Sequence, residues 1–255
     1  APVPEFLTVR TYLPFDDTLD QRRANIQVGV KLVSHVCEID SLVEREVEEE
    51  DWESNWKEYF YPIKIGRKLV ICPTWRASDP FFDRTVVLLD PGMAFGTGHH
   101  PTTRMCLELI EEIIDGDEFV LDLGCGSGIL SITAVKMGAA RSFGIEIEQN
   151  AVQVARENCI TNKVADRVDV LLGTLGNSNL VRENYDVAVA NISAKVIVDS
   201  SQSLAKLVKV GGRIILSGIL KESLSNVEMT LASLNIEIDE VRHDSDWVAI
   251  LGHKH

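Results

Sequence analysis

The chain has 255 residues, of which 45% are hydrophobic and 25% are charged, and its formal net charge is −14. This composition excludes the disordered, collagen-like and low-complexity classes, and no apolar run reaches the ~18 residues that would span a bilayer. A chain this acidic also lacks the positive surface needed to bind naked nucleic acid, so we expect a soluble globular protein, acidic either for solubility or to attract a basic partner.

The first 43 residues predict a small α+β lobe. Residues 6–13 alternate apolar and polar side chains, as a half-buried strand does. Asp16 and Asp17 can cap a helix that runs to about Val36, and a short strand is predicted over 37–43.

An acidic helical linker is predicted over residues 44–66. Its run EREVEEEDWESNWKE places Trp52 and Trp56 four residues apart, on one face of a solvated helix that two tryptophans pin to the body. Short buried strands are then predicted at 69–72 and 85–89.

Residues 67–255 predict an α/β domain. Five short apolar runs have the pattern of strands that are buried on both faces: 119–123, 142–146, 168–172, 185–190 and 212–218. Helical segments alternate with them, at 102–114, 129–138, 149–160, 194–208 and 221–234. This alternation predicts a doubly wound parallel sheet, and the final runs IEIDEVR and DWVAILG predict an antiparallel pair that brings the sheet to seven strands.

The motif VLDLGCGSG lies between the first of these strands and the next helix. Its glycines let the backbone turn tightly and present bare N–H groups to a ligand at a helix N-terminus. Glu146 ends the following strand, 22 residues after Gly124, where a carboxylate can accept hydrogen bonds from ribose hydroxyls. A tight turn without a ligand is the alternative interpretation.

The spacing of the glycines distinguishes between cofactors. A nicotinamide fingerprint has the form G-x-G-x-x-G, whereas here the third glycine comes one residue early. Asp122, two residues before Gly124, would repel a pyrophosphate but suits a ligand with an ammonium group. We therefore expect Asp122, Gly124, Gly126 and Glu146 to bind S-adenosyl-L-methionine (SAM), with NAD as a poorer fit.

A second glycine-rich motif, PGMAFGTGHHPTTR, precedes the helix predicted at 102. No Gly-Lys-Ser/Thr follows, which excludes a phosphate-binding Walker loop. Adjacent histidines such as His99 and His100 cannot both face one site from a regular element, so we expect no metal here. The motif predicts a flexible lid that packs Phe95 near the cofactor, with Thr102 or Thr103 donating a hydroxyl, or else a structural loop in which Thr102 caps the helix.

The motif VAVANIS places Asn191 at the end of the fourth predicted strand. At the carboxyl edge of a parallel sheet a polar residue faces the ligand crevice, and an amide can accept from a nucleophilic amine. Ile192 and Ser193 follow where nucleic-acid base methyltransferases often have two prolines, so the motif departs from that type. The alternative is that Asn191 caps the next helix.

Cysteine and histidine usage predicts a cytoplasmic protein without a metal. There are five cysteines and no C-x-x-C, which indicates free thiols rather than a disulfide framework or a zinc site. The first residues lack the basic and apolar regions of a signal peptide. His253 and His255 flank Lys254, and we expect this end of the chain to be a solvated tail.

Taken together, these motifs resemble the ribosomal protein L11 methyltransferase family. The resemblance covers about residues 44–251 and rests on PGMAFGTGHHPTTR, VLDLGCGSGILSITAVKMGAARSFGIEIE, VANI, SGIL and the segment EDWESNWKEYFYPIKIGRKLVICPTWR. It implies a class I SAM-dependent methyltransferase (Rossmann-like) domain that N-methylates lysine and N-terminal amines of that ribosomal protein. The implied cofactor contacts are Thr103, Gly124, Glu146 and Asn191, with Glu146 standing where the family often has Asp.

The N-terminal part departs from the family pattern, which has a complete ferredoxin-like recognition domain before the catalytic domain. Only about 43 residues precede the acidic linker, and the chain begins with Ala, so we expect a partial recognition domain in a monomeric enzyme. Two alternatives follow. The chain methylates another protein or a small amine, or it binds SAM without productive substrate recognition.

Overall fold

The computed structural model describes residues 9, 11, 13, 15–36, 39–40, 42–44, 60–77, 81, 83–90, 96–176 and 185–255. The chain divides into two compact units, residues 1–56 and 57–255. The strands predicted at 6–13 and 37–43 lie largely outside the described residues, and so does the predicted acidic helix with Trp52 and Trp56.

The first unit contains helix α1, Leu19–Val33. The predicted helix is confirmed, although it begins later than Asp16 and Asp17 suggested. The Asp16 carboxylate accepts hydrogen bonds from the backbone N–H and the hydroxyl of Thr18, at 2.8 and 2.5 Å. Asp16 therefore closes a turn before the helix. It does not cap the first helical turn, because its carboxylate oxygen already accepts from Thr18, which precedes the helix.

The second unit begins with a small sheet in residues 60–90. Its strands are β1 (Ile63–Ile65), β2 (Leu69–Cys72) and β3 (Thr85–Leu88), with β1 antiparallel and β3 parallel to β2. The predicted strands β2 and β3 are confirmed. Strand β1 lies within the segment 44–66 that was predicted to be a helical linker, so that prediction is wrong at Ile63–Ile65. Three residues are too few for a periodic pattern to reveal a strand.

The large sheet follows, and the predicted alternation is confirmed. Its strands are β4 (Phe119–Leu123), β5 (Arg141–Glu146), β6 (Val168–Leu172), β7 (Tyr185–Asn191), β8 (Val208–Leu220), β9 (Ile236–Asp244) and β10 (Trp247–Lys254). The helices are α2 (Pro101–Ile113), α3 (Ile129–Met137), α4 (Gln149–Thr161), α5 (Ala194–Leu207) and α6 (Leu224–Ser233). The strand order is β6-β5-β4-β7-β8-β10-β9, with β4 to β8 parallel and β10 antiparallel to both neighbours.

Both faces of this sheet are covered by helices. Val120 of β4 packs in a cluster with side chains of α2, α3 and α4, whereas Leu121 packs in a second cluster with side chains of α5 and α6. Successive side chains of a strand point to opposite faces. A strand covered on both sides therefore reads as a continuous apolar run, which is why the sequence revealed these strands.

The predicted solvated tail at the C-terminal end is wrong. Strand β10 continues to Lys254, whose ammonium donates to the carbonyls of Ala205 and Val208 at 2.6 and 3.0 Å. The backbone N–H of His255 donates to the carbonyl of Asn235 at 3.0 Å. Lys254 and His255 are held in place because distant segments of the same chain accept their hydrogen bonds. A local sequence pattern cannot show such partners.

The four cysteines in the described ranges, Cys72, Cys106, Cys125 and Cys159, are buried. Burial raises the pKa of the Cys159 thiol to about 12 and moves the pKa values of Cys106 and Cys125 higher still. These thiols are therefore packing groups rather than nucleophiles. None of the described helices is both long and apolar enough to cross a membrane.

Candidate functional site

The glycine motif forms a loop at the carboxyl edge of the sheet, between β4 and α3. Gly124, Gly126 and Gly128 have φ values of +73°, +52° and +80°, in the left-handed region that favours glycine. A Cβ on Gly124 would lie 2.4 Å from Cγ2 of Ile192, and one on Gly128 would lie 3.2 Å from Cβ of Ala155. The glycines therefore allow both the turn and the close packing of neighbouring segments.

Three strand ends meet beside this loop. Leu123, the last residue of β4, is in register with Ile145 of β5 on one side and with Ala190 of β7 on the other. Glu146 and Asn191 each follow directly after these partners. The sheet order thus brings the glycine loop and the two predicted polar residues to one crevice, as strand ends at a topological switch point do.

Glu146 holds its carboxylate against the loop. One oxygen accepts from the N–H of Gly126 at 3.0 Å, and the other accepts from the N–H groups of Ile147 and Glu148 at 2.8 and 3.1 Å. Three backbone donors fix the carboxylate in place. Because the side chain is partly exposed and the oxygen bonded by Gly126 keeps a second acceptor site, it can also receive a hydroxyl group of a ligand.

Asp122 points into the protein rather than into the crevice. Its side chain is fully buried, and Oδ2 accepts from the N–H and the hydroxyl of Ser131 at 3.1 and 2.7 Å. Burial raises the pKa of this carboxyl to about 6, although the two bonds from Ser131 oppose the shift. Asp122 therefore fixes the first turn of α3 below the loop, and its charge acts on a ligand through the loop.

Asn191 and Thr103 form a buried polar pair across the crevice from Glu146. The amide Nδ2 of Asn191 donates to the hydroxyl oxygen of Thr103 at 3.1 Å, and Thr103 is fully buried on α2. The amide oxygen Oδ1 of Asn191 is also buried and has no partner among the described residues. An unpaired buried acceptor costs about 1–3 kcal/mol, so this oxygen is suited to a donor that arrives with a ligand.

The alternative that Asn191 caps the next helix is wrong, because the N-cap position of α5 belongs to Ser193. The alternative role of Thr102 as a helix cap is wrong for a similar reason. The N-cap of α2 is His100, whose ring nitrogen Nδ1 accepts from the N–H of Thr102 at 3.4 Å and lies 2.8 Å from its hydroxyl. The Thr102 hydroxyl is thereby engaged in the cap.

The neighbouring histidines have separate environments. His100 packs edge-on against the ring of Trp247, with the ring centroids 5.0 Å apart, and His99 packs edge-on against Phe60 at 5.5 Å. These contacts agree with the expectation that the two rings do not converge on one ion. Phe95, the third predicted part of this motif, lies outside the described residues.

Gly96, in the second glycine-rich motif, lies against the glycine loop between β4 and α3. The hydroxyl of Ser127 donates to the carbonyl of Gly96 at 2.7 Å, and a Cβ on Gly96 would lie 2.9 Å from that hydroxyl oxygen. The amide of Asn158 on α4 donates to the carbonyl of Ser127 at 2.8 Å. Ser127 thus joins three segments, a role that the sequence did not indicate.

Gly218 was also missed as a site residue, although it belongs to the SGIL motif. It has a φ of +82°, and a Cβ there would lie 2.3 Å from the carbonyl oxygen of Ile192. The N–H of Ile192 donates to the carbonyl of Ser217 at 3.1 Å. Strand β8 therefore supports the backbone directly after Asn191, and only glycine leaves room for it.

The crevice combines backbone turns at a helix N-terminus, a fixed carboxylate and an unpaired amide oxygen. Glu146 and the buried Asp122 place negative charge on the loop side. This arrangement favours a ligand with hydroxyls and a cationic group over a phosphate dianion, and Asn191 can accept a further N–H group.

Comparison with known proteins extends this result. Residues 3–255 match the family described as Ribosomal protein L11 methyltransferase (PrmA). The chain is 41% identical over 252 residues to the ribosomal protein L11 methyltransferase of Pelobacter propionicus, which covers 96% of this chain and 81% of that protein. It is 40% identical over 248 residues to the one from Exiguobacterium sp., with 96% and 79% covered. The crystal structure of ribosomal protein L11 methylase from Lactobacillus delbrueckii subsp. bulgaricus is similar with a TM-score of 0.71 and 32% identity, covering 77% of this chain and 100% of that chain.

Proposed function

Because the chain belongs to the ribosomal protein L11 methyltransferase family, we propose that it methylates lysine and N-terminal amines of ribosomal protein L11. It is a methyltransferase, with S-adenosyl-L-methionine as the methyl donor. The unpaired, buried amide oxygen of Asn191 at the carboxyl edge of the sheet is the observation that supports the choice of an amine as acceptor.

The crevice residues divide the recognition of SAM between them. Glu146 accepts a hydrogen bond from a ribose hydroxyl, and the loop through Gly124 and Gly126 lets the ligand approach the backbone closely. Asp122 is buried below the loop, so its negative charge favours the cationic parts of the ligand without a direct contact. Phe95 stays a sequence-based prediction of an apolar contact with the cofactor.

An amine must lose its proton before it can accept a methyl group. When SAM is bound, it supplies that group on a positively charged sulfonium. A lysine with a pKa of about 10.4 is neutral in roughly one of 2,500 molecules at about pH 7, a deficit of about 4.6 kcal/mol, whereas an α-amine with a pKa of about 7.8 lacks only about 1 kcal/mol. Burial next to the positively charged sulfonium lowers the pKa of a lysine and so removes part of the deficit.

Asn191 orients the amine. Its Nδ2 is held by Thr103, which leaves Oδ1 directed away from that bond and free to accept an N–H. An acceptor in a fixed position aligns the nitrogen lone pair with the methyl group, and positioning is the main source of catalysis for a transfer that needs no covalent intermediate. Thr103 is a positioning residue, because it acts through the amide of Asn191.

The experiment is an incubation of the chain with SAM and ribosomal protein L11, read by the intact mass of L11. We expect increments of one methyl group each, located by fragmentation on lysine and N-terminal amines. We expect Asn191→Ala to lower kcat about 100-fold with little change in the Kd for SAM. Asn226→Ala, an exposed asparagine on α6, is the matched control and should keep full activity.

Each result separates one part of the proposal from the rest. Full turnover in Asn191→Ala would refute the role of Asn191 but leave the methyltransferase activity standing. Methylation at residues other than amines would refute the proposed acceptor. Thr103→Val should lower kcat and Thr103→Ser should restore it, because serine keeps the hydroxyl that holds the amide.

We propose that residues 1–43 contribute to substrate recognition, and that the part of the predicted linker 44–66 before β1 joins them to a catalytic domain that includes β1 as well as the predicted 67–255. We also propose that the enzyme acts as a cytoplasmic monomer without binding nucleic acid directly. The net charge of −14 supports the choice of a protein substrate over a nucleic acid, because an acidic enzyme attracts a basic protein and repels phosphates. We expect the KM for L11 to rise with salt concentration, whereas the Kd for SAM should change little. Light scattering after size exclusion tests the monomer.

A further inference from the structure

A cluster of metal-ligand side chains lies on β9 and β10, away from the crevice. In the part of the chain that the structure describes, the ligand atoms of Glu237, His253 and His255 all lie within 4.8 Å of one another. His253 is in register with Glu237 across the two antiparallel strands. Residues two apart on a strand share a face, so both histidines project on the side that carries Glu237.

Carboxylates hold both imidazole rings in place. Nδ1 of His253 lies 2.8 Å from a carboxylate oxygen of Asp239, and Nε2 of His255 lies 2.6 Å from a carboxylate oxygen of Glu237. The two rings pack edge-on with their centroids 4.6 Å apart. His253, with one ring nitrogen held by Asp239, presents the other nitrogen as a ligand, which is the usual arrangement around protein-bound metals. Nε2 of His255 and the carboxylate of Glu237 already lie together, so an ion would replace the proton between them.

The backbone under the cluster is fixed. The N–H of His255 donates to the carbonyl of Asn235 at 3.0 Å, and the ammonium of Lys254 binds the carbonyls of Ala205 and Val208. The histidines are therefore preorganised, and binding an ion requires only small side-chain movements.

We propose that Glu237, His253 and His255 bind a divalent transition metal ion of the zinc type, with Asp239 orienting His253. Imidazole nitrogens suit zinc, nickel and copper, whereas magnesium and calcium prefer oxygen ligands. Glu237 and Asp239 supply two negative charges that offset the charge of the ion. Arg213, with Nε 3.8 Å from Asp239, pairs with that carboxylate and leaves Glu237 as the carboxylate ligand.

The ion would join the edge strand β9 to β10 at the amino edge of the parallel strands. His253 is in register with Arg213 of β8, which pairs with Val187 near the start of β7, whereas the glycine loop follows the carboxyl end of β4. Strands of five to seven residues separate these edges by about 20 Å. The site therefore stabilises the sheet and takes no part in methyl transfer.

The experiment is a calorimetric titration of the metal-free full chain with zinc chloride at about pH 7.5. We expect one zinc ion per chain, and His253→Gln and His255→Gln should each weaken binding at least about tenfold. His243→Gln, at the other end of β9, is the matched control and should bind as the original chain does. Magnesium chloride should give no binding, because magnesium prefers oxygen ligands.

A second measurement keeps folding and binding apart. Zinc should raise the thermal unfolding midpoint of the original chain and of His243→Gln but not of His253→Gln. The proposal is overturned if no saturable binding of one equivalent occurs. It is equally overturned if His253→Gln and His255→Gln bind zinc as tightly as the original chain, since the ion would then lie elsewhere.

Discussion

Replacing Gly218 with alanine tests how β8 supports the residue next to Asn191. An alanine with a φ of +82° would cost about 1–2 kcal/mol from its left-handed backbone alone. Its Cβ would also lie 2.3 Å from the carbonyl oxygen and 2.8 Å from the carbonyl carbon of Ile192. This overlap with backbone, which no rotamer change relieves, adds about 1–3 kcal/mol. We expect a total loss of about 2–5 kcal/mol in the free energy of unfolding.

Gly211→Ala is the matched control on the same strand. Gly211 has a φ of +79°, and among the described residues no atom lies within 4 Å of a Cβ at that position. Both alanines share the backbone strain and the effect on the unfolded chain, so the difference between the variants isolates the overlap with Ile192.

Urea unfolding of both variants measures this difference. Gly218→Ala should also lower kcat, because the backbone of Ile192 must shift and Asn191 precedes it directly. Equal stability of the two variants would refute the reasoning, since it would show that Ile192 moves aside without loss.

Three further predictions follow from buried or networked polar groups. Because burial raises the pKa of Asp122 to about 6 from 3.8, its ionisation destabilises the folded chain progressively as pH rises from about 4 to about 6. The stability of Asp122→Asn relative to the original chain should therefore increase across that window and stay constant above about pH 6. A difference that is the same at every pH in urea unfolding would contradict this. Asn162→Ala should cost about 2–4 kcal/mol and reduce the hydrogen-exchange protection of the Leu88 amide, because the Asn162 amide bonds both the N–H and the carbonyl of Leu88 at 2.8 and 2.7 Å; unchanged protection would contradict it. Arg242→Gln should cost about 1–3 kcal/mol, because the largely buried Arg242 joins Glu240 and Glu112, whereas Arg141→Gln should cost under about 1 kcal/mol, because Arg141 is more exposed and pairs with Asp169 alone; equal losses on urea unfolding would contradict this contrast.

Much of the second unit could be predicted from local sequence patterns. Strands β4 and β6 have the predicted bounds, because a buried parallel strand reads as an apolar run between turn residues. Strand β8 was predicted too short. It begins at Val208, which is in register with Tyr185 of β7, and this pairing across the sheet extends the strand into the segment VKVG, which contains a lysine and a glycine.

The positions of the site residues could be predicted better than their orientations. Glu146 and Asn191 were placed at strand ends, and the sheet order brings both to the glycine loop. Asp122 was expected to face the cofactor, but it lies on the face of β4 that carries Val120, where α3 covers it. The alternation of side chains along the strand already indicated this face.

The sequence by itself determined the order of helices and strands, the glycine loop and the chemical types of the groups that follow the strands. Those features depend on residues that are close together in the chain. Only the tertiary structure decided the partner of each polar group: Asn191 meets Thr103 across 88 positions, and Asn162 meets Leu88 across 74. Such pairs depend on strand order and helix packing, which bring distant segments together and which no local pattern contains.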